Sequence, residues 1–430
     1  NVFLLPVFLL LYFIISPPRS TIQIGNGIKK NYHAFSLIKA PDATPVKEMR
    51  PLNFIEYPLS QSDSYNIKLG TAMIILGKYL KLIFVPYPMS YYYGYAYIIP
   101  TSIWHFVPLT LLLMHIVLFG VALFFIQKNS LLSFSILFYL LSISVFTNLF
   151  IPLPGMMGDR FLLIPSIGFC CFIAVCLSKI FKQNFTDPKI SFGSLAQPFK
   201  ILFAVILVMY FMLTFSRNAD WKDHITLFRH DINTVENSAQ AQNLLGLHLF
   251  IASNTETDVL KQKQMREEAV EHLRKAVEIY PQFLNASFDL GRVYESLQEE
   301  DSAYAQYERT VRIDTNFKSP YFNMAIIQQN KGHLEAAIPF YQQFLTKYPH
   351  QPEVYANMSY AYFKLGKYDS SIVVNKRALL EVASAFEPNV NIGKTYMQLN
   401  EKDSARYYFQ QAQRINPTDA SVNRLLQSLQ

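Results

Sequence analysis

Apolar residues are bunched in the first half of this chain and spaced periodically in the second. Residues 1–15 ("NVFLLPVFLLLYFII"), 103–126, 131–152, 161–180 and 200–217 form almost unbroken apolar runs. Each of the last four approaches the roughly 20 residues a helix needs to cross about 30 Å of hydrocarbon. The pattern predicts four membrane helices within 103–217 and part of another over 1–17. Residues 66–86 ("NIKLGTAMIILGKYLKLIFVP") differ: Lys68, Thr71, Lys78 and Lys81 fall near one helical stripe, and Leu69, Met73, Leu76, Leu80 and Phe84 line another. Lysines in mid-span are costly in hydrocarbon, so a helix lying in the interface fits this segment better than a span. On that reading 18–102 is one large loop unit carrying an interfacial helix at 66–86, and 218–238 is a linker.

Beyond the linker the pattern repeats every 34 residues. Small residues recur at Gly291, Ala325, Ser359 and Gly393, and again at Ala303, Ala337, Ser371 and Ala405. Tyr307, Tyr341, Asn375 and Phe409 keep the same period, and Pro349 and Pro417 close two units. This is the tetratricopeptide pattern, two antiparallel helices per unit with small residues where they cross and aromatics filling the gaps. An earlier unit fits through Gly246, Ala269, Ala276 and Pro281, with an insertion around "NTETDVLKQKQ". Five repeats follow, at 239–283, 284–317, 318–351, 352–385 and 386–419, with a capping helix over 420–430. The expected fold is all-α: a polytopic membrane domain followed by an α-solenoid. Stacked first helices line a groove, which here would present Arg292, Glu295, Phe322, Ile326, Tyr360, Phe363, Lys394 and Met397. Such a lining suits a protein or peptide chain, or a glycan; the other reading is that several of these aromatics pack between repeats.

Charge sharpens the membrane reading. Residues 1–237 hold 18 Lys+Arg against 10 Asp+Glu, and 238–430 hold 20 against 21, which sum to the 38 and 31 of the whole chain. The basic excess lies wholly in the apolar half, which argues for membrane flanks and against a nucleic-acid surface. Lys179, Lys182, Lys189 and Lys200 cluster in and beside the 181–200 connector, against Asp187. By the positive-inside rule that connector is cytoplasmic. Counting helices then puts 127–130 inside, and 18–102, 153–160 and everything after 217 outside. Cys170, Cys171 and Cys176 share one apolar run, where neither a disulfide framework nor a zinc spacing is possible. No metal site or cofactor is expected in this chain. It starts at Asn1, inside an apolar segment without a basic leader, so it reads as the C-terminal part of a longer protein.

No phosphate-binding glycine loop, zinc-protease motif or nucleophile elbow is present. His115 lies in mid-span, either as a proton carrier or hydrogen-bonded between helices; Asn148 poses the same choice, with helix packing favoured. The sharpest chemical feature is Asp159-Arg160, directly before the 161–180 run. As a surface ion pair it would contribute little. Yet it lies at the depth of a lipid phosphate, where arginine binds phosphate bidentately and a neighbouring carboxylate could orient it.

The segments "RPLNFIEYPL" (50–59), "LGKYLKLIFVPYPMSYYYGYAYIIP" (76–100), "GDRFLLIPSIGF" (158–169) and "RNADWKDHITLF" (217–228), in this order before the repeats, resemble the transmembrane and tetratricopeptide-repeat (TMTC-like) family of protein O-mannosyltransferases and its bacterial relatives. The resemblance implies a GT-C membrane fold and transfer of a sugar, mannose, from a polyprenyl-phosphate donor to an extracytoplasmic protein acceptor. It implies donor-phosphate contacts from Arg160, oriented by Asp159, and from Arg50 and Glu56, with the groove receiving the acceptor. The family's catalytic carboxylate belongs to a first loop that would precede this chain, so no catalytic residue is assigned. A bacterial inner membrane is the expected location, rather than the endoplasmic reticulum. The alternative is a non-catalytic membrane-anchored scaffold for envelope assembly.

Overall fold

A computed structural model describes residues 55–61, 64–182, 193, 195–382 and 385–429. The membrane helix expected over 1–17, Arg50 and Lys189 lie outside the described residues. All regular structure among the described residues is helical. Helix α1 spans Tyr65–Phe84. Four helices long and apolar enough to cross a membrane follow. They are α2 (Phe106–Phe125), α3 (Ser130–Ser144, extended by a 3₁₀ turn Val145–Thr147), α4 (Leu163–Ile180, preceded by a 3₁₀ turn Asp159–Leu162) and α5 (Gln197–Asp220). The second span stops short of the expected 152 because Asn148 adopts a left-handed φ of 64° and ends the helix.

These four helices leave their apolar side chains outward. On α5, Ile201, Val205, Val208 and Phe215 are all exposed, as lipid-facing residues are. Lys128 lies over the Phe124 ring at 3.8 Å and Lys179 over Phe125 at 5.6 Å, so the basic connector after α2 and the end of α4 share one end of the helices.

Helix α1 crosses the other end of the spans. Gly70 sits so close to the 101–103 backbone that a Cβ there would lie 2.2 Å from the Thr101 carbonyl oxygen. Thr71 Oγ1 accepts the Thr101 N–H at 2.9 Å, and Asn66 accepts Ile103 N–H at 3.0 Å. Farther along, Gly77 abuts Leu111 of α2, Phe84 meets Phe169 of α4 edge-on at 4.7 Å, and the Ile83 carbonyl accepts Tyr210 OH of α5 at 3.4 Å. Ala72, Ile75, Leu76, Tyr79 and Leu82 are buried beneath it, while Lys81 is exposed and Lys78 caps the Tyr97 ring at 4.1 Å.

After the short helix α6 (His224–Asp231) the repeats begin. Their paired helices are α7 (Ala239–Ser253) with α8 (Val259–Ile279), α9 (Leu284–Ser296) with α10 (Glu300–Ile313), α11 (Ser319–Asn330) with α12 (Leu334–Leu345), α13 (Pro352–Lys364) with α14 (Tyr368–Glu381), and α15 (Phe386–Gln398) with α16 (Lys402–Ile415). Helix α17 (Ala420–Ser428) follows. The insertion in the first unit extends its second helix to 21 residues, started by an Asp258 cap, instead of forming a long loop. Small and aromatic positions interlock physically: a Cβ on Gly291 would lie 2.6 Å from the Tyr307 ring, and one on Gly393 2.5 Å from Phe409. In the fourth unit this pair is polar, with Asn375 and Ser371 hydrogen-bonded to Ser359.

Another row reads Asp289, Asn323, Asn357 and Asn391. Burial raises the Asp289 carboxyl to about 6, against the pull of Arg292 3.3 Å away. A carboxyl raised in the folded state contributes its stability below its ordinary value near 3.8, and loses that contribution as pH climbs through about 6. Asp289→Asn, which copies the neighbouring repeats, should therefore match or exceed wild-type stability at pH 7 and flatten its dependence between pH 4 and 6; thermal unfolding by circular dichroism at both ends checks this. A wild type that grows more stable from pH 4 to 6 through this residue would contradict it. Gly70→Ala should destabilise the membrane half by about 1–3 kcal/mol through overpacking. Gly120→Ala, with nothing within 4 Å of the added carbon, should be neutral. Equal unfolding midpoints for the two variants would refute the close approach of α1 to residues 101–103.

Candidate functional site at the membrane edge

The Asp159-Arg160 pair is presented by a turn whose shape is fixed from within. Buried Asn148, left-handed at the end of the second span, accepts Leu153 N–H at 2.8 Å and donates to the Met156 carbonyl at 2.5 Å. Its side chain therefore staples its own connector and makes no bond to another helix among the described residues. Gly155 N–H is accepted by the Glu56 carbonyl at 2.8 Å and Gly94 N–H by the Gly155 carbonyl at 2.9 Å, while Gly158 N–H reaches Tyr79 OH at 3.1 Å. The 55–57 segment is thus wedged between the tyrosine-rich 85–105 loop and the turn that carries Asp159.

Asp159 does not pair with Arg160. One of its oxygens accepts Ser90 N–H at 2.8 Å and the other accepts Tyr93 OH at 2.7 Å. Burial and the nearby carboxylate push the Tyr93 phenol far above its ordinary value, so it remains a donor. The orienting role expected of Asp159 toward Arg160 is corrected accordingly: both oxygens serve the loop, because a half-buried carboxylate needs donors and two lie within reach. Arg160 is exposed, rests 4.9 Å from the Phe161 ring, and makes no ion pair among the described residues. Glu56 is half-buried and enters the site through its backbone; Arg50 lies outside the described residues.

The next peptide N–H in the loop, that of Tyr91, goes to a second carboxylate, Asp231, at 2.6 Å. Asp231 is buried and takes a two-pronged contact from Arg217 at 2.5 and 3.0 Å, and Arg217 also reaches Asp220 at 3.2 Å. Adjacent N–H groups of one loop therefore hold the start of a membrane-length helix and the helix that leads into the repeats. The Tyr91 ring packs against Trp221 at 6.0 Å and Phe228 at 5.5 Å, and His224 stacks on His248 of the first repeat at 4.7 Å. Sequence reading missed Ser90, Tyr91, Tyr93, Arg217 and Asp231; only an arginine closing an apolar run hinted at Arg217.

Along the first helices, Arg292, Ile326, Tyr360 and Lys394 share one register position. Arg292, Tyr360 and Lys394 are exposed and Ile326 is half-buried. Arg292 is steadied by Asp289 and by the Phe250 ring at 5.2 Å, and Lys364 lies 5.5 Å from the Tyr360 ring. The other candidates turn inward. Glu295 accepts Tyr307 OH at 2.6 Å, and burial raises its carboxyl. Phe322 packs on Phe344 at 5.4 Å, Phe363 on Tyr368 at 5.5 Å, and Met397 joins the core around Phe409.

Comparison with known proteins gives the following. Tetratricopeptide-repeat profiles match residues 258–283, 352–379 and 386–419, and a second such profile matches 321–350. The protein O-mannosyl-transferase TMTC3 of Homo sapiens is 25% identical over 218 residues, 47% of this chain and 22% of that protein. Tmtc3 of Drosophila melanogaster is 24% identical over 206 residues, covering 44% of this chain and 20% of the relative. The chain thus spans about a fifth of the length of these relatives. Among solved structures, YrrB, described as a TPR protein with an unusual peptide-binding site, aligns at 16% identity over 46% of this chain and 96% of its own, with a TM-score of 0.39. MamA aligns at 18% identity over 39% of this chain and 99% of its own, with a TM-score of 0.35. Among the described residues, four helices long and apolar enough to cross a membrane thus lead into tetratricopeptide repeats, and over just under half of its length the chain is similar to the TMTC3 protein O-mannosyl-transferases.

Proposed function

We propose that this chain supplies the donor-phosphate contact and the acceptor-binding repeats of a membrane glycosyltransferase. The enzyme would move mannose from a polyprenyl-phosphate donor to a hydroxyl on an extracytoplasmic protein. The observation that carries this reading is Arg160: an exposed guanidinium, without an ion pair among the described residues, at the start of a membrane-length helix. There the isoprenoid tail lies in lipid and its phosphate reaches the interface. As the acceptor oxygen bonds to the anomeric carbon, the bond from that carbon to the phosphate oxygen breaks. Arg160 takes up the charge left on the phosphate. Glu56 and Arg50 are the further candidates for the donor phosphate, and no residue is assigned as the base that takes the acceptor's proton. Asp159 serves indirectly, fixing the loop beside Arg160. The exposed row Arg292, Tyr360 and Lys394 offers a surface to the acceptor. That the curated relatives are named protein O-mannosyl-transferases supports the chemistry.

The same geometry supports the sidedness proposed here. The 85–105 loop, the Asp159 turn and the residues that open the repeats meet at one end of the spans, and Lys128 and Lys179 lie at the other. By the positive-inside rule the lysine end is cytoplasmic and the repeats are extracytoplasmic, which in a bacterium means the periplasmic face of the inner membrane.

Membranes carrying the protein should transfer radiolabelled mannose from polyprenyl-phosphate mannose to protein, and Arg160→Ala should lower that transfer by about a hundredfold. Equal transfer by the two removes Arg160 from the site; absence of transfer by both favours the scaffold. Protease added outside intact spheroplasts should digest residues 239–430, and full protection would overturn the orientation.

A further inference from the structure

The repeats are not packed alike on their second helices. Positions 306, 340, 374 and 408 share one register and hold Gln, Phe, Val and Tyr. Phe340 packs against Tyr304 of the preceding repeat and Tyr321 of its own first helix, each at 6.4 Å. Tyr408 stacks on Tyr396 at 5.7 Å. Val374 is the shortest side chain in the row. The residues that correspond to Tyr321 and Tyr396 in its repeat are Tyr355 and Tyr362, and both line a cavity of about 560 Å³ where α12, α13 and α14 meet. Tyr355, Met358 and Val374 are its buried floor, and Arg377 and Asp369 stand exposed on its rim. None of the first-helix row Arg292, Ile326, Tyr360 and Lys394 lines it.

We infer that this cleft is a second docking site, separate from the first-helix surface, for an aromatic side chain of an extended segment of a partner protein. A carboxylate next to that aromatic in the partner's sequence meets Arg377. Register identifies the aromatic: the neighbouring units fill the same space with their own phenylalanine or tyrosine, and here an outside ring completes the packing. Charge identifies its neighbour. Arg377 makes no ion pair among the described residues, while Glu381, one turn on, is 3.0 Å from His350. A buried aromatic beside a satisfied arginine is the composition of a strong interface contact.

The test uses the full chain in lipid nanodiscs and a fluorescein-labelled octapeptide of glycine and serine carrying one Asp-Phe pair, followed by anisotropy. Binding should saturate, and replacing the peptide's phenylalanine by serine should weaken it at least about tenfold. Val374→Phe supplies the internal ring, so it should keep or raise the unfolding midpoint and also weaken binding at least about tenfold. Arg377→Glu, on the exposed rim, should weaken the Asp-Phe peptide and favour a Lys-Phe peptide. Arg160→Ala should leave peptide binding unchanged, which separates this inference from the glycosyltransferase reading. The docking site is refuted if the Asp-Phe peptide does not bind at millimolar concentration, or if a folded Val374→Phe protein binds it as wild type does. Should Val374→Phe not fold, failure of the Arg377→Glu charge exchange would overturn the proposal alone.

Discussion

Two carboxylates that have lost much of their water, Asp159 and Asp231, are each answered by one of two consecutive peptide N–H groups, those of Ser90 and Tyr91. Leaving either carboxylate without donors would cost several kcal/mol, and neighbouring N–H groups cannot move independently of one another. The tyrosine-rich loop therefore fixes the start of α4 and the helix that opens the repeats against a common reference. Arg217, at the end of α5, completes the arrangement by neutralising Asp231. Because Asp159 is committed to the loop, it leaves Arg160 exposed beside the Phe161 ring, with no ion pair among the described residues.

The repeats solve a different problem, that of stacking similar units without voids. Most junctions set a small residue on the first helix against an aromatic on the second, as Gly291 faces Tyr307 and Gly393 faces Phe409. Where the aromatic is absent, the unit compensates or it opens. In the fourth unit Asn375 replaces the ring and is hydrogen-bonded to Ser359 and Ser371, so that position remains filled. One row away, Val374 has no such compensation, and the space its neighbours fill stays accessible. The same repeat therefore contains a repaired position and an unrepaired one, and only the second creates a surface for another chain.

The sequence alone determined the features that a uniform environment imposes along the chain. Lipid requires long apolar runs, so four candidate membrane helices could be read from the chain. Stacking of like units requires a 34-residue period, so the repeats and the small-against-large rows could be read directly. Tertiary structure alone decided what joins these parts. The donors to Asp159 and Asp231 are backbone N–H groups, which every non-proline residue carries, so no residue type announced them. Asp159 and Arg160 are adjacent in sequence, and adjacency suggested a pair; the folded loop offered better-placed donors from about seventy residues away. Asn148 likewise looked like helix-packing glue and is a staple within its own connector, because its left-handed backbone turns the side chain back on residues 153–156. Periodic environments write themselves into residue order; contacts between a side chain and a distant peptide group do not, and only folding selects them.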